Sequence, residues 1–399
     1  MNFDSTTYTF KDPGKIGIIS LVVGVVFLGI SVIGYMNDSA HFYLNYLTAL
    51  IFWLSVSLGC LFFTMLHHIT QANWSTVLRK VSEALASAFP LFLILFIPII
   101  FGLHDLFHWS HEGIMDPASE NFDALLAKKE GFLNPVFFYI RSAGYFAIWI
   151  IFSFLLNKSS AEQDKAHTPA LSRRFRKISA PGIILFALSS TFASFDWLMA
   201  LDAHWFSTIF GVYYFSGAFL SGLTFLVIVL LYLRKNGILK NEVTIEHYHD
   251  LMKLIFGFII FWSYMAFSQY FLIWYANLPE ENFWFLYRWD NSWEPISLLL
   301  IFGHFVFPFI ALIFRASKRF TPVIFFMCSW ILIMRYVDLY WLVLPTHYKD
   351  GVHFSILDLA PLIGIGGLFF FYFWRQLTSK PVLALKDPTL EKSMKFLNS

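Results

Sequence analysis

The run FDWLMALDAHWFSTIFGVYYFSG, from Phe195 to Gly217, puts Asp196, Asp202 and His204 at the edge of strongly apolar sequence. An ionisable group in or beside lipid is costly, so its presence there points to function. Carboxylates and imidazoles that change protonation next to fixed guanidinium charges can relay protons or clamp a quinone headgroup. Arg335 and Asp338 are three residues apart, share a helix face and can form an ion pair. Glu83, Arg141 and His304 are the other ionisable residues expected well inside apolar stretches. Asp202, His204, Glu294 and Asp358 are expected at one set of helix ends, and His247, His249, Asp250 and Lys253 at the other. Tyr139, Tyr145, Tyr213, Tyr214, Tyr264 and Tyr336 supply hydroxyls able to bridge these groups. The same residues also suit a structural role: a buried pair can be glue between helices, and charges at helix ends anchor them at the interface.

Groups of this kind must be positioned by membrane-crossing helices. The chain has 399 residues, of which 58% are hydrophobic, 20% aromatic and only 14% charged, with a mean hydropathy of +0.63. A soluble core of this length cannot bury so much apolar surface, so the fold class expected is all-α and polytopic. A hydrocarbon core of about 30 Å needs roughly 20 apolar residues per helix. Ten such stretches are present, at 16–35, 47–69, 81–103, 135–157, 181–201, 205–233, 250–277, 293–314, 321–344 and 356–377. Barrel strands would be shorter and alternating, and no such alternation is seen. No soluble domain is expected. The connection from Leu103 to Asn134 is acidic, carries Trp109 and His111 and suits a lid or docking loop; the one from Asn157 to Ala180 suits a linker.

Basic residues orient the helices. Lys11, Lys15, Arg79, Lys80, Arg173 to Lys177, Arg234 to Lys240, Arg315 to Arg319 and the tail from Arg375 to Lys395 fall on one side, against Lys128, Lys129, Arg288 and Lys349 on the other. By the positive-inside rule both termini are cytoplasmic, and the first span is a retained helix. The net charge of +2 reflects topology and gives no reason to expect a nucleic-acid partner; contact between Arg173–Lys177 and anionic lipid headgroups is compatible with it.

Depth follows from 1.5 Å per helical residue. Counting from the start of each span, Asp196 lies roughly 22 Å in, Arg335 roughly 20 Å and Asp338 roughly 24 Å, with Arg141 roughly 9 Å in from the outer side. All four fall in the outer third. Proline at the starts of several spans, and acids at the starts of the third and seventh, suggest two parallel four-helix repeats, 47–201 and 205–344, flanked by helices 1 and 10. Only Cys60 and Cys328 are present, so there is no disulfide framework, CxxCH haem attachment or thiolate set for an iron–sulfur cluster. A haem held by two histidines would need partners at equal depth, which His304 lacks.

The Phe195–Gly217 run resembles the signature of the ActF and ActC membrane subunits of alternative complex III, a bacterial quinol:electron-acceptor oxidoreductase, within the wider NrfD/PsrC-like family. The resemblance spans essentially the whole chain, whose length and brief tail are more similar to the ActF type. It implies a membrane subunit of the bacterial inner membrane without a covalently bound cofactor of its own. Its implied partners are an ActC-type paralogue, iron–sulfur and multihaem c-type subunits that carry the redox centres, and a terminal oxidase, with quinone or quinol as the lipid-soluble reactant. On this reading Glu83, Arg141, Asp196, Asp202, His204, Asp250, His304, Arg335 and Asp338 line proton half-channels from Glu83 and Asp250 inside to Asp202 and His204 outside. The alternatives are an anchor for a molybdenum-type reductase of the same family and a free-standing secondary transporter. Against the transporter, the sequence predicts no pair of glycine- or proline-broken helices at mid-membrane.

Overall fold

In the computed structural model, which describes residues 1–166 and 168–397, ten helices are long and apolar enough to cross a membrane. Numbered in chain order, spans 1 to 10 are Ile16–Asn37, Ser39–Thr70, Asn73–Phe101, Pro135–Lys165, Pro169–Asp202, Phe210–Lys235, Ile245–Ala276, Asn291–Leu312, Thr321–Thr346 and Ile356–Thr378. The protein is therefore an all-α, ten-span integral membrane protein. Among the described residues the only strands form a small antiparallel hairpin, Asn2–Asp4 with Thr9–Asp12. The hairpin and the C-terminal tail meet where the Val382 N–H donates to the Tyr8 carbonyl at 2.9 Å. Both termini thus share one face, here the terminal face; the other is the far face.

Spans 2 and 6 form the axis and are buried almost all round. They can lie this close because Gly59 faces Gly222: a Cβ on Gly59 would sit 2.4 Å from the Ala218 carbonyl and 2.9 Å from the Gly222 Cα. Spans 4 and 5 pack against each other, span 9 packs against spans 2 and 6, and spans 1 and 10 pair at the periphery. Span 1 is the least buried of the ten, and its exposed Ile18, Val22, Val25 and Val26 suit a lipid-facing surface.

Helix starts follow local chemistry. Asn134 caps span 4 by accepting the Phe137 N–H at 2.9 Å, with Pro135 in the first turn where its missing N–H costs nothing. Several expected boundaries move. Span 2 begins at Ser39, eight residues before the apolar stretch. Spans 4 and 5 also outrun it, reaching Lys165 and starting at Pro169. The expected linker from Asn157 to Ala180 is therefore mostly helical, and Pro181 lies inside a helix. Hydropathy marks where lipid ends, whereas a helix continues until a cap or a breaker stops it.

The sequence predicts no pair of glycine- or proline-broken helices, yet two spans depart from regular α-helix. Span 3 is interrupted at 86–88, between Arg79–Leu85 and Phe89–Leu95, and is segmented again at Phe96 before Pro98. Hydroxyls from neighbouring helices satisfy the freed carbonyls: Ser57 donates to Leu85 at 2.8 Å and Ser153 to Ala86 at 2.7 Å. Span 8 contains a π-helical turn, Leu300–Val306, that carries His304.

Candidate functional site

The ionisable groups singled out in the sequence fall into separate clusters, some toward the far face and others toward the terminal face. In the first, Asp196 is the penultimate residue of the α-helix Pro169–Trp197 and is completely buried. Arg141, six residues into span 4, reaches it with two parallel hydrogen bonds: Nε to Oδ2 and Nη2 to Oδ1, both 2.8 Å. Tyr145, one turn further along the same face, donates to Oδ2 at 2.7 Å. The third guanidinium nitrogen donates to the Phe132 carbonyl at 2.8 Å, and the Phe132 and Phe137 rings lie 3.8 and 4.2 Å from Arg141 Cζ. Such a forked pair is the strong geometry for arginine and carboxylate.

The second cluster lies on span 9. Arg335 donates to Asp338 at 2.5 Å, both fully buried, and the Tyr213 hydroxyl of span 6 donates to the other carboxylate oxygen. Tyr214, the next residue, places its ring 5.5 Å from the guanidinium. Gly217, one turn from Tyr213, leaves the space that the guanidinium fills: a Cβ there would be 2.3 Å from Arg335 Nη1. Yet Arg335 Nε and Nη2 find no hydrogen-bond partner among the described residues. The same is true of both ring nitrogens of His304, whose ring stacks on Trp262 with centroids 4.0 Å apart. A buried guanidinium with two idle donors beside an imidazole with no partner is a place where water or a polar ligand compensates.

Outside these pairs, Asp202 accepts from the Tyr287 hydroxyl at 3.1 Å and His204 contacts Asp123 at 2.6 Å. Neither bonds directly to Asp196 or Asp338. Burial pushes the Asp123 carboxyl up, but the Leu126 N–H, His204 and the Leu125 N–H outweigh it and hold it below the ordinary carboxylate value. The connection from Leu103 to Asn134 thus folds back over the far-face ends of the helices, with Trp109 buried beneath it. His108 in this cap is pulled below its usual value by burial, then by the charges of His111 and His204. Arg288, expected as an exposed loop charge, is fully buried. It donates to the carbonyls of Trp284, Trp341 and Leu342 at 2.8, 3.1 and 2.9 Å. The last two end span 9 and lack helical donors of their own.

At the terminal face, Glu83 is buried and accepts the Ser160 hydroxyl at 2.5 Å; Arg79 Nε lies 3.0 Å from its other oxygen. The sequence placed Arg79 and Lys80 in a loop, but span 3 starts at Asn73, so both are buried inside it. They survive there because each has an acid: Arg79 donates to Asp387 of the tail and to Gln163, both at 2.6 Å, and Lys80 to Asp164 at 2.6 Å. Burial raises the Asp387 carboxyl, but Arg79 and the Thr389 hydrogen bonds hold it below its ordinary value. Asp250 pairs with Lys253 at 2.5 Å on the first turns of span 7.

The structure therefore joins Arg141 with Asp196 and Arg335 with Asp338, sets His304 beside the second pair, and leaves Glu83, Asp250, Asp202 and His204 in separate clusters. Of the tyrosines, Tyr145 and Tyr213 bridge as expected and Tyr214 bonds Ser55 at 3.4 Å, whereas Tyr264 is 60% exposed and faces away. Sequence reasoning missed Asp387, Asp164, Gln163 and Ser160. The one available signal was the spacing of Arg79 and Glu83, which places them on one helix face. Among the described residues, no group of three or more His, Cys, Asp or Glu is arranged to hold a metal ion. The chain matches no protein-family model, and comparison with curated proteins gives no match.

Proposed function

We propose that this ten-span protein is a membrane subunit of a proton-coupled quinol-oxidising respiratory complex of the alternative complex III type, most similar to ActF. The observation that carries the reading is the fully buried Arg335–Asp338–Tyr213 cluster with its idle guanidinium donors and the unpartnered His304. Structural glue would leave no donors over, whereas a proton-handling site needs acceptors and donors that change partners. In this reading Asp338 takes and releases a proton while Arg335 favours its ionised state, and His304 and water extend the route. Asp196, Asp202 and His204 serve the outer side, and Glu83 and Asp250 the inner. The redox centres belong to partner subunits: an ActC-type paralogue, iron–sulfur and multihaem c-type proteins, and a terminal oxidase. The setting is the bacterial inner membrane with cytoplasmic termini. The Phe195–Gly217 run supports this assignment.

The test is a mild-detergent purification of the tagged native protein, with a reduced-minus-oxidised optical spectrum and identification of the bound subunits. The expected result is c-type haem with iron–sulfur subunits; a lone, colourless protein overturns the assignment. The broken span 3 and the π-turn of span 8 favour a second reading, a free-standing secondary transporter, since interrupted helices frame substrate sites in such proteins. That reading expects uptake of a solute by vesicles holding this chain alone.

A further inference from the structure

Where span 3 breaks at 86–88, a groove of about 390 Å³ opens sideways between spans 3, 4 and 10. Its wall is apolar, made by Pro90, Ile150, Phe154 and Ala161, and Phe154 is 62% exposed. Its other end is polar, with Asn157, Lys158, Gln376 and Lys380. Ile150, Phe154, Lys158 and Ala161 recur every three or four residues and so run along one face of span 4, while Tyr372 and Gln376 share a face at the end of span 10 and Lys380 follows two residues past it.

The depth of each end decides what fits. Lys158 lies about 35 Å along span 4 from Pro135, beyond a hydrocarbon core of about 30 Å and hence at headgroup level. Ile150 lies about 12 Å deeper, among acyl chains. Neither Lys158 nor Lys380 makes an ion pair or a side-chain hydrogen bond with any described residue. Acids close in the fold are already engaged: Glu162, one turn from Lys158, by Arg174, Glu83 by Arg79 and Ser160, and Asp164 by Lys80. The groove therefore presents two uncompensated positive charges at the height of the phosphates, above an apolar slot that opens toward lipid.

We propose that this groove is a binding site for one anionic glycerophospholipid, its phosphate held by Lys158 and Lys380 and one acyl chain lying along Ile150 and Phe154. Gln376 lies beside the glycerol and ester oxygens, while the Asn157 amide is already engaged with the Ser153 and Glu83 carbonyls, at 3.0 and 3.4 Å. The bound lipid covers the break in span 3 from the side and so shields the carbonyls freed at 86–88. Its charge complements the two lysines in a way that a zwitterionic lipid, which carries its own ammonium, does not.

The test is native mass spectrometry of the full chain, stripped of lipid in detergent and titrated with phosphatidylglycerol or, separately, with phosphatidylcholine. The expected result is one tightly held phosphatidylglycerol, preferred over phosphatidylcholine on the order of tenfold, since each lysine near an anionic headgroup contributes severalfold. In the variant carrying K158Q and K380Q the preference disappears while folding is kept, because Lys158 is exposed, Lys380 is half-buried and glutamine keeps most of each stem. Ala161→Trp places an indole one turn beyond Lys158 and blocks the headgroup end of the groove with the lysines intact, and it removes the bound lipid altogether. Equal binding of the two lipids by the unaltered chain, or a preference that survives in the double variant, overturns the proposal. Retained binding in Ala161→Trp does the same.

Discussion

Two guanidinium–carboxylate pairs lie toward the same face of this protein and are built on opposite plans. Arg141 and Asp196 come from different helices, and every guanidinium nitrogen has an acceptor: two carboxylate oxygens and the Phe132 carbonyl. Arg335 and Asp338 sit three residues apart on one helix, and two of the three guanidinium nitrogens have none. A saturated pair is a lock, since any change in it strands a buried charge. An under-satisfied pair has spare capacity, which water or a titrating neighbour can use. The first pair ties spans 4 and 5 to the far-face cap, whereas the second lies within span 9 and reaches a neighbouring helix through Tyr213 and Tyr214 of span 6.

The difference can be broken by substitution. The largest effect is expected from Arg141→Ala, which leaves Asp196 buried without its counter-charge and should cost about 3–5 kcal/mol. It should show as a lower yield of folded protein and a lower thermal midpoint in detergent; an unchanged midpoint would show that the pair is not a lock. Asp338→Asn should act mainly on function, lowering proton-coupled turnover of the assembled complex on the order of tenfold to a hundredfold. Subunit stoichiometry measured on the same preparation separates this from loss of assembly. Unchanged turnover with unchanged proton yield would remove the relay role of the second pair.

Gly217→Ala probes the second pair more gently. The added methyl collides with the Arg335 guanidinium, and displacing a group so enclosed should cost about 1–3 kcal/mol. Loss of turnover exceeding the loss of thermal stability would locate function in the position of Arg335. The smallest effect concerns the cap over the first pair. His108 has its pKa pulled below the ordinary 6.5 by burial and by the His111 and His204 charges, so on acidification the unfolded cap takes up the proton first. Stability is then full above about pH 6.5 and declines as the pH falls toward the folded value. Burial pulls His347, at the far-face end of span 9, in the same direction, while Asp123 stays ionised across this range. Relative to the intrinsic exchange rate at each pH, amides at 103–134 should be less protected at pH 5.5 than at pH 7.5, with the protection of span 9 around Arg335 unaffected.

How much of this was legible in the sequence differs by feature. The ten spans were, because crossing lipid depends on a local run of apolar side chains whose backbone must satisfy itself. The far-face layer of Asp196, Arg335 and Asp338 was as well, since depth is nearly arithmetic along a helix, and the Arg335–Asp338 pair follows from three-residue spacing. The partner of Arg141 was not, because it depends on how spans 4 and 5 are rotated against each other. Nor could hydropathy show that Arg79 and Lys80 are buried. Their acids, Asp387 and Asp164, arrive from a tail and a helix extension far along the chain, and only with those acids in place is burial tolerable. The break in span 3 is of the same kind, since it stands because Ser57 and Ser153 on other helices accept the duty of the missing donors. What a residue does to its own neighbours in sequence was fixed by the chain's order; what it meets across a helix interface was decided by packing alone.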